Sequence, residues 1–255
     1  MKYEITGETL QFDGRTLHRI KALVAIPDIG VDPGDLGGYV ESSDNLSQEG
    51  TAWIADDAKV YGAAQVYGDA EVCGYAQVCA TARVFGYARV FGNAMIYGEA
   101  RVIESARVFG YAHVYGEAGI GGHAMVYGKA IVCGEARVYG AARVCDGAAA
   151  FGKSRVSGHA MVYGTAKIGG EAVVMAVKDF IVFKNFWSSG RYFTWTRSDN
   201  MYQAGCFRGT GTELVAKAYR DSEMSGREYG RVVRYVESVL ADMAADGATN
   251  GEARE

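Results

Sequence analysis

Small apolar residues recur at every sixth position through the middle of the chain. From Ile54 to Val174 there are 21 such positions, and 20 of them hold Val or Ile, with Ala150 as the exception. Two residues earlier in each unit the chain has Ala in 20 of 21 cases, with Ser154 as the exception, and two residues later it has Gly in 16. This repetition, rather than any single helix or strand pattern, determines the predicted fold.

The spacing within each unit predicts a short strand followed by a sharp corner. Ala and Val lie two residues apart, so both point into the core while the residues around them point outward. Glycine two residues after Val permits the positive φ of a tight corner. A strand and a corner every six residues, without insertion, predict a three-sided solenoid with 18 residues per turn and about seven turns.

The two ends of the chain lack this period and are predicted to cap the solenoid. The N-terminal segment contains alternating strands joined at Asp13-Gly14, which is a strong hairpin turn. After the solenoid, clustered aromatic residues and capping boxes that begin at Thr210 and Ser225 predict strands followed by two helices. The predicted parts are an N-terminal β cap over 1–50, the repeat solenoid over 51–176, a C-terminal α+β cap or docking domain over 177–244, and a flexible tail over 245–255.

The repeat resembles the left-handed parallel β-helix of the hexapeptide-repeat proteins. The leader from Gly34 to Gly62, GDLGGYVESSDNLSQEGTAWIADDAKVYG, is similar to that of uncharacterised bacterial and phage or prophage proteins described as acetyltransferase-like. The resemblance implies a mainly β, left-handed solenoid that forms a homotrimer. It also implies CoA as a cofactor if the chain is an acyltransferase. One departure is that the family's acyltransferases usually place Gly or Asp directly after the aliphatic residue, where this chain has mostly Tyr, Phe or Cys.

Composition and charge narrow the function classes. A net charge of −4 argues against general nucleic-acid binding. No apolar stretch approaches the length of a membrane span, and the first residues do not form a signal peptide. The five cysteines form no CxxC pair, and the histidines form no zinc motif. We therefore expect a cytoplasmic protein, in a bacterial host if it is phage-encoded, without a metal, a membrane partner or a cofactor other than CoA under the acyltransferase alternative.

Outward residues fall on three faces when the chain is counted in steps of 18. The first face has an apolar and nearly uncharged middle. This exposed apolar area is larger than a soluble monomer normally has. We interpret it as a homotrimer interface, and the alternative is that its aromatic rings stack along the outside of the solenoid and stabilise it. The interface candidates are Met95, Tyr97, His113, Tyr115, Ile131 and Phe151.

Arginine columns on the other two faces are the first candidate for ligand binding. The second face has Arg83, Arg101, Arg137 and Arg155, and the third has Arg89, Arg107 and Arg143. Because guanidinium groups on successive turns repel one another unless anions or carboxylates intervene, Arg101 and Arg137 are candidates to bind an anion. The alternative is a ladder of salt bridges with a neighbouring corner column that contains Glu99, Glu117 and Glu135.

The segment after the solenoid provides a second ligand-binding candidate. Aromatic rings, arginines and a glycine turn before a helix could together hold a base and its phosphates. The candidate residues are Trp187, Arg191, Tyr192, Trp195, Arg197, Arg208, Thr210, Gly211 and Thr212. The alternative for the last three is an ordinary helix cap.

Candidate catalytic chemistry is sparse. An acyltransferase on this scaffold would use a histidine base between subunits, and His113 on the first face is a weak candidate for it. We therefore expect a non-enzymatic, oligomeric binding protein that sequesters an anionic nucleotide-like small molecule. The resemblance to phage and prophage proteins implies that it is phage-derived. The alternatives are an acyl-CoA-dependent acyltransferase and a structural or polymer-forming spacer.

Overall fold

A computed structural model describes the backbone of residues 1–252 and the side chains of residues 1–245. The fold is mainly β, with stacked parallel strands that form a three-sided solenoid, a small antiparallel sheet and two C-terminal helices. This confirms the predicted fold class. The residues divide into a first compact unit, Met1–Phe180 with Arg197–Asp199, and a second one made of Ile181–Thr196 and the segment that starts at Asn200.

The N-terminal segment forms an antiparallel extension of one solenoid face. Strand β1 (Tyr3–Phe12) pairs with β2 (Arg15–Ala22), and β2 pairs with β3 (Leu36–Val40). Asp13 and Gly14 both adopt positive φ, as the predicted hairpin turn requires. Strand β3 then pairs in parallel with the first repeat strand of the first face, so the extension and that face form one sheet of 10 strands.

Twenty-one strands of two residues each, β4–β24, build the three faces in rotation. The first face contains Lys59–Val60, Gln77–Val78, Met95–Ile96, His113–Val114, Ile131–Val132, Ala149–Ala150 and Lys167–Ile168. The second contains Gln65–Val66, Arg83–Val84, Arg101–Val102, Gly119–Ile120, Arg137–Val138, Arg155–Val156 and Val173–Val174. The third contains Trp53–Ile54, Glu71–Val72, Arg89–Val90, Arg107–Val108, Met125–Val126, Arg143–Val144 and Met161–Val162.

The solenoid has one more turn than the repeat predicts, because parallel stacking begins before residue 51. On the first face eight parallel strands stack, starting with β3. Val40 pairs with Val60 and Leu46 with Val66, an offset of 20 residues, whereas Trp53 and Glu71 keep the regular offset of 18. The first, partial turn therefore contains two extra residues after Leu46.

Buried polar side chains close this irregular first turn. The Lys2 ammonium donates to the carbonyls of Glu49, Gly50 and Ala52, the last at 2.7 Å. Asn45 is fully buried, and its amide nitrogen donates to the carbonyls of Gly62 and Ala64 at 2.9 Å. These bonds satisfy carbonyls that no strand reaches, which would otherwise be costly to bury.

The interior consists of the repeated Ala and Val side chains, nearly all of which are fully buried. Each turn is bonded to the next by backbone hydrogen bonds such as Lys59 N–H to Ala76 C=O at 2.9 Å. Of the five units that lack the corner glycine, four still turn at positive φ, at Asp56, Ala80, Glu104 and Asp146. The three acidic side chains each accept a hydrogen bond from the glycine N–H one turn further on.

The second unit packs an antiparallel sheet against helices. Its strands are β25 (Phe180–Lys184), β26 (Tyr192–Thr196), β27 (Met201–Ala204) and β28 (Phe207–Gly209), followed by helices α1 (Gly211–Asp221) and α2 (Glu223–Glu252). Helix α2 begins two residues before the predicted box at Ser225. The tail predicted over 245–255 falls partly in α2, and its residues 253–255 lie outside the described residues.

Candidate functional site

The first face presents the predicted interface residues as one strip. Met95, His113 and Ile131 occupy the same outward register on successive turns. The Tyr97 and Tyr115 rings stack with centroids 4.8 Å apart and planes within 5°. Ile131 is 37% exposed. The strip is therefore continuous. Its rings also stack on one another within the chain, as in the alternative interpretation that aromatic stacking stabilises the outside of the solenoid.

Aromatic contacts continue on the first face beyond both ends of this strip. At the N-terminal end, the Phe12 ring from β1 lies edge-on to Tyr61 with centroids 5.8 Å apart. At the other end, the Phe151 ring lies over Gly169 so closely that no side chain could fit there.

The His113 imidazole lies between the apolar side chains of Met95 and Ile131 on the adjacent turns. Its ring meets the edge of the Tyr97 ring with centroids 6.4 Å apart. Contact with the Cys133 thiol, together with burial, raises the pKa of the adjacent Tyr115 to about 12, so this phenol is uncharged at neutral pH. Within residues 1–245 no hydrogen bond joins the His113 side chain to a carboxylate that could orient it as a base.

The arginines of the second face lie in one exposed column broken by a glycine. Arg83 pairs in register with Arg101, and Arg137 with Arg155, while Gly119 occupies the turn between Arg101 and Arg137. Within the described side chains none of these four guanidinium groups forms an ion pair or hydrogen bond.

Within the described side chains, the salt-bridge ladder that was the alternative interpretation of the arginine columns is not formed. Glu99, Glu117 and Glu135 lie at the preceding corner, and in residues 1–245 none of them pairs with Arg101 or Arg137. By contrast, Arg89 on the third face bonds Glu71 at 2.7 Å. Within the described side chains the arginines of the second face therefore have no direct ion-pair partner, whereas on the third face Glu71 pairs with Arg89.

Tyr139 closes the gap in the arginine column, a role that the sequence analysis missed. A Cβ built on Gly121 would lie 2.5 Å from Tyr139 Cε1, and one built on Gly119 would lie 2.9 Å from the Tyr139 hydroxyl oxygen. The ring therefore lies against the backbone of the preceding turn, whereas Phe85 stacks on Tyr67 with ring centroids 4.7 Å apart. The available signal was that Gly119 and Gly121 leave both outward positions of one turn without a side chain.

The second ligand-binding candidate is only partly assembled. Trp195 is fully buried among Phe193, Tyr202 and Leu214, and its indole N–H donates to Asn200 Oδ1 at 2.8 Å. It therefore offers no surface to a ligand, contrary to our expectation. The error arose because β26 is covered on both sides, with residues 193–196 all buried, and Trp195 lies with Phe193 in the core of the second unit.

Arg191 and Tyr192 do line a cavity in the second unit. This cavity has a volume of about 120 Å³ and is also lined by Asn185 and Tyr229, which hydrogen-bond to each other at 3.0 Å. Trp187 packs edge-on against Tyr229, and its indole N–H has no partner. Arg208 is half-buried on β28, and Arg197 belongs to the first compact unit.

The helix start at Thr210 is a filled cap rather than an anion site. The Glu213 carboxylate accepts from the Thr210 N–H at 2.8 Å and from its hydroxyl at 3.0 Å, and Thr210 Oγ1 accepts from Glu213 N–H. These bonds lower the pKa of Glu213. A carboxylate of the chain itself thus occupies the position where a phosphate would bind before Gly211 and Thr212.

Comparisons with models of known protein families and with curated proteins give no match. Among the residues that the structure describes, no helix is long and apolar enough to cross a membrane. In the same residues, no group of three or more His, Cys, Asp or Glu side chains is placed to hold a metal ion.

Proposed function

We propose that this chain is a non-enzymatic, oligomeric binding protein that retains an anionic, nucleotide-like small molecule on its solenoid. The observation that supports the proposal most directly is the column of exposed arginines on the second face, which have no carboxylate partner within the described side chains. Guanidinium groups favour phosphate because their planar array of N–H donors matches its oxygens. An anion between two such groups would also relieve their mutual repulsion.

The aromatic rings beside the arginines suit the ring of such a ligand. Tyr67 and Phe85 stack on the second face, and Tyr139 lies across it. Arginines next to aromatic faces can hold a planar ring and its phosphates together. The apolar strip of the first face is the proposed contact between copies, in a homotrimer.

Binding to a panel of nucleotides by isothermal titration calorimetry tests the proposal, with chromatography of the recovered ligand. We expect at least one nucleotide to bind and to be recovered unchanged. Arg101→Gln or Arg137→Gln should weaken binding roughly 10-fold or more, since a hydrogen bond to a charged group contributes about 1.5–3 kcal/mol. Arg89→Gln is the matched control, because Arg89 already pairs with Glu71, and it should change affinity little.

Two results would contradict the proposal. One is the absence of binding across the panel. The other is turnover, for example release of free thiol from acetyl-CoA that stops in His113→Ala, which would favour the acyltransferase alternative. Native mass spectrometry gives the copy number, and long polymers without any ligand would favour the spacer alternative.

A further inference from the structure

The second face has one turn on which no side chain projects. On either side of Ile120, both outward positions are glycine, at Gly119 and Gly121, and both glycines are nonetheless buried. The Tyr139 ring lies over Gly121, and its hydroxyl lies over Gly119. The Arg137 guanidinium reaches the same place, with Nη1 3.7 Å from where a Cβ of Gly119 would be.

Two hydrogen-bond donors, the Arg137 guanidinium and the Tyr139 hydroxyl, therefore lie close to the backbone at Gly119, and a third donor belongs to the turn before it. Arg137 and the Tyr139 hydroxyl approach Gly119 from one side, and Arg101 lies on the adjacent turn on the other side. Adjacent turns are about 4.8 Å apart, so the backbones at Arg101 and Arg137 are separated by roughly 10 Å. Each side chain has to reach only half of that distance to contact a ligand midway between them. Within residues 1–245 neither arginine has an ion-pair partner, and Tyr139 forms no hydrogen bond.

We infer that this notch, defined as Gly119, Gly121, Arg101, Arg137 and Tyr139, binds the phosphate of a nucleoside monophosphate. This inference rests on the proposed function and assigns its site. The phosphate lies on the solvent side of the Tyr139 hydroxyl, between the two arginines, and accepts from both guanidinium groups and from that hydroxyl. The base stacks on the solvent-facing side of the Tyr139 ring, which is half-buried. Arg155, one turn beyond Arg137 on the same column, lies outside the notch.

Glycine at position 119 is required by this arrangement rather than by the backbone. Its φ is not in the left-handed region, so alanine is compatible with the strand itself. A Cβ there would lie 2.9 Å from the Tyr139 hydroxyl oxygen and would therefore displace the hydroxyl that is proposed to donate to the phosphate. Gly119→Ala is thus a small change that moves this donor and keeps every charge.

Calorimetric titration with adenosine 5′-monophosphate, adenosine and inorganic phosphate tests the assignment in the full-length chain. We expect the monophosphate to bind more tightly than either of its parts. Gly119→Ala should weaken its binding roughly 10-fold or more, and Tyr139→Phe about 3-fold to 10-fold through loss of one hydrogen bond. The matched control Arg155→Gln should change affinity less than 2-fold. Circular dichroism at each variant's titration temperature establishes that it is folded.

The outcomes separate this inference from the proposed function. If the wild-type chain binds none of these probes, the inference is wrong, and if it also binds no other nucleotide the proposed function is wrong as well. If the monophosphate binds equally well to wild type, Gly119→Ala and Tyr139→Phe, the proposed function stands and the notch is not the site. Equal weakening by Arg155→Gln and Arg137→Gln would indicate general attraction to the column, and would also contradict the inference.

Discussion

Replacing Ser154 by alanine is predicted to stabilise the solenoid. Ser154 takes the place that alanine holds in every other repeat unit, and its side chain is fully buried. Its hydroxyl oxygen has no hydrogen-bond partner in the structure. The neighbouring inward position in the same column is Ala136, which is also fully buried. The substitution therefore removes one unpaired polar group and creates almost no cavity.

The magnitude follows from the cost of burying a hydroxyl without a partner. Mutational data place this cost at about 1–3 kcal/mol, so Ser154→Ala should raise the free energy of unfolding by a similar amount. For a chain of this size each kcal/mol corresponds to roughly 2–4 °C in the midpoint of thermal unfolding. Ala136→Ser is the mirror variant, and it should lower stability by a comparable amount because it buries the same group one turn away.

Urea unfolding followed by far-ultraviolet circular dichroism measures both variants. We expect the midpoint to rise for Ser154→Ala and to fall for Ala136→Ser, with the slope against urea unchanged because the same surface is exposed on unfolding. A lower midpoint for Ser154→Ala would show that the hydroxyl makes a favourable interaction. That result would refute the argument that this interior tolerates polar groups only at a cost.

Three further predictions concern a corner, an ion pair and a helix cap. Gly116→Ala should lower the free energy of unfolding by more than the roughly 1–2 kcal/mol of an alanine in the left-handed region, since its Cβ would lie 3.0 Å from Gly134 N. Gly164→Ala meets nothing within 4 Å and should lower it by only that amount. Midpoints of thermal unfolding compare the two variants. A hydrogen bond from the Gly62 N–H, and then Arg15, lower the pKa of Glu41 from its usual 4.5. The ionised Glu41 therefore stabilises the folded chain fully above pH 4.5, and this stabilisation is lost as the pH falls through the lowered pKa. Unfolding midpoints of wild type and Glu41→Gln should differ at pH 7 and converge in acid. Thr210→Ala should destabilise the second unit by about 1 kcal/mol, which hydrogen exchange of α1 measures.

The solenoid could be predicted from the sequence because each of its constraints is local and repeated. Ala and Val specify the interior, and the corner position of the repeat takes positive φ even where its residue is Asp56 or Glu104. The additional first turn escaped prediction because Val40 and Leu46 lack the preceding alanine and are offset by 20 residues. Its closure depends on Lys2, whose carbonyl partners are distant in the sequence.

The candidate site was less predictable, because it depends on how long side chains orient. The spacing placed Arg101 and Arg137 in one column, but it could not show that Glu117 leaves both of them unpaired. The burial of Trp195 depends on which side of β26 meets the helices, and a short aromatic-rich strand does not reveal this. The position of Tyr139 depends on Gly119 and Gly121, which leave the turn before it without outward side chains. This signal can be recognised only after the pairing register of the strands is known.

The constant offset of 18 residues between the bonded strands of β4–β24 makes this part of the solenoid a ruler with graduations of about 4.8 Å. Its length can change by whole turns without altering any corner, whereas a gain or loss of six or twelve residues would move every later side chain to a different face. Excision of residues 119–136 would bring Arg137 directly beside Arg101. Duplication or deletion of such a segment could therefore adjust the spacing between charges in evolution while the interior stayed the same.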